Sequence, residues 1–201
     1  MKKVWMSALG IALLLSIYFN MNQYSKGKTY EEYIGAQVAN RISLIVHNSF
    51  ESQKTINTIL DKERITKGQA HQLYLNFNGI VGELQELKFL NTDLDKIQIN
   101  RNDFLKENTE IGNHFMVKYR KMKKDDTEVN EITQGQIDDY NKVLQLVDRY
   151  LYIASDTITG IDENGRNPTY NVNRTYVFTS GEWAIYLKKI HDHTHSMDSP
   201  F

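Results

Sequence analysis

The sequence predicts an all-α protein: an N-terminal transmembrane helix followed by an antiparallel four-helix-bundle-like domain with a short C-terminal helix. Three observations carry that reading. Both prolines, Pro168 and Pro200, lie near the C-terminus, so nothing before them interrupts a helix in proline's way. Apolar stripes recur at three- and four-residue spacing, the period of an amphipathic helix. Four Thr-x-x-Glu/Gln pairs, Thr29/Glu32, Thr66/Gln69, Thr133/Gln136 and Thr179/Glu182, precede such patterns. In each, the hydroxyl can accept from a first-turn amide while the longer side chain reaches back.

At the N-terminus, Lys2 and Lys3 precede an uncharged stretch from Val4 to Ser25, with its apolar centre at Val4–Phe19. A helix over 4–21 spans roughly 27 Å, just enough for a thin bilayer. Trp5 and Tyr18 sit near its ends, where amphipathic rings favour an interface, and the two lysines favour an N-terminus facing the cytoplasm. A secretory signal peptide shares these charged and apolar regions. No small-x-small pair follows the apolar run directly, however; Ser25 and Gly27 have that spacing farther downstream. The expectation is a retained single-pass anchor in the cell membrane with the domain outside, and secretion after cleavage as the alternative. Residues 1–3 are then a cytoplasmic tip, 4–21 the anchor, 22–28 a linker, 29–191 an extracytoplasmic helical domain and 192–201 a flexible tail.

The first domain helix is expected from Tyr30 to about Asp61, with a more polar interval from Ser49 to Thr55. The second, Lys67 to about Leu90, has the cleanest stripe: Ala70, Leu73, Tyr74, Phe77, Ile80, Val81, Leu84 and Leu87. Gln72, Asn76, Gly79, Glu83 and Glu86 lie off that stripe. Gly79 and Gly82 cost helix propensity, about 1 kcal/mol each, which predicts a closely packed neighbour. A third helix is expected from Asn102 to Met122, a fourth from Gln134 to Ser155, and a last from Gly181 to His191 that buries Trp183, Tyr186, Leu187 and Ile190. No internal repeat is evident.

Residues 156–178 lack helix periodicity. Asp162-Glu163-Asn164-Gly165 signals a turn, and alternation through Tyr170, Val172, Tyr176 and Phe178 predicts a short strand. Loops of this length are often functional or disordered; a loop covering one end of the bundle is the plainer reading, and a binding loop the alternative. Tyr170, Arg174 and Tyr176, with Trp183, are the candidate partner-binding residues.

Formal net charge is −1, without the basic excess of a general nucleic-acid binder, so no nucleic-acid partner is expected. Cysteine is absent, which removes disulfides, thiol nucleophiles and cysteine-ligated zinc. No phosphate loop, nucleophile elbow, His-Glu-x-x-His or calcium loop occurs, and no catalytic residue or cofactor is assigned. His191, His193 and His195 are weak metal candidates, since His-x-His-x-His on a strand would point three imidazoles one way. A solvated tail is the blander reading. His47, His71 and His114 read as surface or bundle-boundary residues. The basic run Lys118–Lys124 complements the negative end of its helix dipole; contact with anionic lipid or wall polymer is the alternative.

The function expected from these features is a non-enzymatic interaction, scaffold or sensory module of the bacterial envelope, with a protein partner at the membrane surface. A metal-binding protein using the histidine cluster, or a small-ligand sensor with a pocket between helices, are the alternatives. Oligomeric state stays open, because the same stripes can pair within one chain or between two.

Overall fold

A computed structural model describes residues 2–99, 105–162 and 174–196, apart from the side chains of 2–9, 11, 12, 195 and 196. It is predominantly helical. The elements in order are α1 (Lys2–Lys62), β1 (Arg64–Thr66), α2 (Lys67–Asp93), α3 (Lys106–Lys124), β2 (Val129–Glu131), α4 (Gln134–Thr157), α5 (Arg174–Thr179) and α6 (Glu182–Ser196). Helix α2 packs between α1 and α3, and α1 also packs on α4 and α5. Helix α6 lies against α4, α5 and α2. The apolar stripes face inward as their periodicity predicts: Val38, Ile42 and Ile45 meet Leu73, Phe77 and Ile80, with Ile111, Phe115, Tyr140, Val143 and Trp183 in one continuous core. Each such side chain contributes about 1.5–3 kcal/mol by leaving water.

One end of the bundle is organised by a repeat that the apolar pattern conceals. Ile65-Thr66-Lys67-Gly68-Gln69 and Ile132-Thr133-Gln134-Gly135-Gln136 are the same local device used twice. Each connection holds a left-handed residue, directly before the strand at Glu63 (φ 48°) and three residues before it at Asp126 (φ 49°); Thr66 ends its strand, Thr133 follows its strand by two residues, and each starts the next helix. Both capping boxes form. The Gln69 amide donates to Thr66 Oγ1 at 3.1 Å, and the Thr66 amide to Gln69 Oε1 at 2.9 Å. The Thr133/Gln136 pair does the same at 3.4 and 3.1 Å. The strands then pair with each other, antiparallel, Arg64 opposite Glu131. These two residues occupy equivalent places in the two segments, so the ribbon is centred on a local two-fold axis relating α1–α2 to α3–α4.

The N-terminal expectation is corrected. Among the described residues no helix is long and apolar enough to cross a membrane, which overturns the anchor at 4–21 and the single-pass placement built on it. A span needs about 20 predominantly apolar residues. Here the apolar run stops at Phe19, and Asn20, Asn22, Gln23, Lys26 and Lys28 follow. There is also no linker at 22–28, because α1 is unbroken from Lys2 to Lys62. Thr29 therefore caps nothing; its hydroxyl bonds back to the Ser25 carbonyl at 3.1 Å. The Thr179/Glu182 box is likewise not formed. Thr179 bonds to the Thr175 carbonyl, and the Glu182 carboxylate instead receives the Thr159 amide and hydroxyl at 2.9 and 2.8 Å.

Two further details differ. Asn76 is buried although off the stripe, because it belongs to a polar layer between α1 and α2. Its amide donates to Ser52 Oγ at 3.2 Å and accepts from Gln72 at 2.7 Å. Residues 174–179 form a helix where a strand was predicted, and this helix rests on α1 at Gly35. The end of α6 is tied in by a buried chain of hydrogen bonds. Asn108 donates to the Tyr150 hydroxyl at 2.7 Å, Tyr150 meets Thr194 Oγ1 at 2.7 Å, and Thr194 donates to the Ile190 carbonyl at 2.8 Å. Since the Thr194 hydrogen is committed to Ile190, the Tyr150 hydrogen goes to Thr194. Burial pushes the Tyr150 hydroxyl up to about 12.

Two stability tests follow from this packing. A Cβ at Gly35 would lie 3.1 Å from Thr175 Cα and 3.2 Å from the Arg174 carbonyl oxygen, whereas one at Gly82 meets nothing within 4 Å. Gly35→Ala should lower stability in urea unfolding by about 1–2 kcal/mol, and Gly82→Ala should raise it by about 0.5–1 kcal/mol. Tyr150→Phe strands the Asn108 amide in the core and should cost about 1–3 kcal/mol in the same assay.

Candidate functional site

The two-fold relation is broken in one respect. Helices α1 and α2 pack closely backbone to backbone, whereas their counterparts α3 and α4 meet through side chains. Their nearer ends are bridged by rings: Phe115 and Tyr140 have centroids 5.6 Å apart, and His114 meets the edge of Tyr140 at 6.2 Å. Above this bridge opens a cleft of about 850 Å³. Glu110, His114, Val117, Lys118 and Lys121 line it from α3; Asn130 and Glu131 from β2 and Gln136 from α4 close the other side. The α3 residues recur at three- and four-residue spacing, so one helix face presents them all.

The electrostatics of the cleft follow from partial burial. Desolvation, helped by the Lys118 charge, lowers His114 to about 4. Burial likewise lowers Lys118, with the neighbouring Lys121 adding repulsion. The Lys118 ammonium sits 5.6 Å from the centre of the Tyr140 ring, an electrostatically favourable position over the π face. Burial, assisted by Asp139, raises the Tyr140 hydroxyl well above its ordinary value. At neutral pH the cleft is thus lined by an uncharged His114 imidazole, with the uncharged, buried Tyr140 phenol packed against it.

Of the residues singled out from sequence, His114 and the basic-run residues Lys118 and Lys121 line this cleft; none of the described partner-binding or metal candidates does. Tyr170 lies outside the described residues. Arg174 begins α5, Tyr176 is exposed (54%), and Trp183 is fully buried, stacked with Phe178 at 6.3 Å. Burial removes Trp183 as a partner contact and makes it a core residue. The histidine cluster is not a tail: α6 continues through Ser196. Two residues along a helix are about 200° apart, so His191 and His193 face opposite ways. His191 instead contacts the Asp192 carboxylate at 3.1 Å. The side chain of His195 lies outside the described set. Among the described residues no group of three or more His, Asp or Glu side chains converges as a metal site.

His114, read from sequence as a boundary residue, and Lys118, read as part of a dipole-complementing run, are the residues whose role was missed. The signal available was positional. Lys118 lies above the last turn of α3, where the dipole argument covers Lys121, Lys123 and Lys124 but not Lys118.

A pH dependence follows. The unfolded chain binds the His114 proton near 6.5, the fold only near 4. Protonation therefore favours unfolding, and stability should fall as pH drops from 6.5 towards 4. Partial exposure limits this contribution to about 1–2 kcal/mol. His114→Gln should flatten the slope over that interval in paired urea titrations at pH 4.5 and 7; an unchanged slope would show that His114 titrates normally.

No protein-family model, curated protein or solved structure matches this chain.

Proposed function

We propose that the helical domain is a non-enzymatic ligand-binding module of sensory type, and that its binding site is the cleft between α3 and α4. The supporting observation is the break in two-fold packing. One helical hairpin packs backbone to backbone, the other packs through side chains with a cleft beside it, and that cleft falls in the size range of small-molecule sites. Binding is favoured over catalysis by the imidazole in its lining. General acid–base chemistry needs a pKa near the working pH. His114 is displaced well below neutrality and stays uncharged through it. It is suited to fixed hydrogen bonding rather than proton transfer.

A second reading, a protein partner, rests on the outer part of α1. Leu13, Leu14, Ile17, Phe19, Met21 and Tyr24 are all exposed, Tyr24 by 77%. Contiguous apolar surface of this kind marks interaction sites. Crosslinking from position 24 in intact cells should recover one specific protein; recovery of unrelated proteins in proportion to abundance would discard this reading.

The ligand-binding reading is tested by a thermal-shift screen of the full chain against small polar molecules. A ligand present at about 100 times its Kd stabilises by roughly 2.7 kcal/mol, enough for a clear shift. Val117 is exposed on the cleft wall, so Val117→Trp should preserve the fold, fill the cleft and abolish the shift. Hits that survive Val117→Trp unchanged would move the site elsewhere.

A further inference from the structure

We propose that the cleft takes a small organic monocarboxylate, with the carboxylate seated between the ammonium groups of Lys118 and Lys121. This rests on the reading of the cleft as a ligand site.

The charge inventory of the cleft carries the proposal. Lys118 and Lys121 are three residues apart on α3, so they lie on one face, and both line the cavity. Among the described residues neither forms an ion pair, whereas Lys67, Lys106, Lys142, Lys188 and Lys189 all do. Lys118 is half-buried, with a ring face as its compensating contact. A half-buried ammonium beside a second ammonium is unfavourable on two counts, lost hydration and like-charge repulsion. A bound anion relieves both at once. The helix dipole does not account for Lys118, which stands before the last turn of α3.

The remaining residues restrict the kind of anion. Three carboxylates also line the cavity: Glu110, Asp125 and Glu131. Glu110 is 3.9 Å from the Lys106 ammonium, so its charge is partly offset. They would still repel a multiply charged ligand, which favours one negative charge over two or three. Val117 and Met122 offer apolar surface for the body of the molecule, and the Asn113 and Gln136 amides can take a polar substituent. His114, uncharged at neutral pH, completes a floor that does not compete for the anion.

The test uses the full chain, with benzoate and hexanoate as monocarboxylate probes, benzamide as the uncharged shape control and citrate as the multiply charged one. Amide chemical shifts are followed in a titration. Benzoate is expected to move the amides of Val117, Lys118, Lys121 and Asn130 saturably, with benzamide and citrate at least tenfold weaker. Lys118→Met and Lys121→Met, which keep the aliphatic stem, should each weaken benzoate at least tenfold. Unshifted core amides in each variant show that the fold is intact. The double variant Lys123→Met/Lys124→Met, which removes two charges from the same helix end without touching the cleft lining, should bind as the parent does. Benzamide binding as tightly as benzoate, or benzoate indifferent to Lys118→Met, would overturn the carboxylate while leaving the cleft as a ligand site. An equal loss in the Lys123/Lys124 variant would reduce the effect to general charge and overturn the seat. If no probe moves any cleft amide, the proposal fails outright, and the wider thermal-shift screen decides separately whether the cleft binds anything.

Discussion

The pairing of Arg64–Thr66 with Val129–Glu131 is the constraint on which the rest of the molecule depends. Helices with wide apolar stripes can slide and rotate against one another at modest cost, because many registers bury similar area. A ladder of main-chain hydrogen bonds has no such freedom; a one-residue slip exchanges the faces of every side chain in it. Ile65 is fully buried and Arg64 is exposed, so only one register is compatible with the core. Three paired positions thus set the phase of four helices. The threonine caps, Thr66 and Thr133, fix where the next helix leaves each strand.

Much of this was legible in the sequence. The stripes of α2 and α4, the starts of both at Thr66 and Thr133, and the burial of Trp183, Tyr186 and Leu187 all follow from periodicity and cap chemistry. Local signals predict well where local energetics decide. They failed where continuity or long-range pairing decides. Thr29 has the residues of a cap, but the chain on both sides is already helical, so the hydroxyl has no free amide to accept from. Arg174–Thr179 alternates like a strand, yet among the described residues the only sheet is β1–β2, and Gly35 offers a helix a close seat instead. The repeat at Ile65 and Ile132 is five residues within a long chain, and becomes conspicuous only when the two segments are seen bonded to each other.

The site was less legible than the fold for a related reason. Histidine clusters and aromatic loops attract attention in sequence because the residue types are rare. The residues that line the cleft are common ones, and their meaning comes from what they lack. The difference between Lys118 and Lys189 is not composition but the Asp156 carboxylate 2.7 Å from the latter. Helix periodicity places Lys118 on a face; it cannot say that a cleft opens on that face.

The continuity of α1 has a mechanical meaning. At 1.5 Å per residue, a helix of 61 residues is a rod of roughly 90 Å. Its inner half is core, in contact with α2, α4 and α5; its outer part is exposed from Leu13 through Tyr33. Such a rod has the geometry of a lever with its fulcrum inside the protein. A rotation of about 5° at the fulcrum would displace the far end by several ångströms, because the arm is roughly 45 Å long. The helix carrying that arm also packs on α4, whose Gln136 lines the cleft, so any rotation of α1 within the bundle would be magnified along the arm.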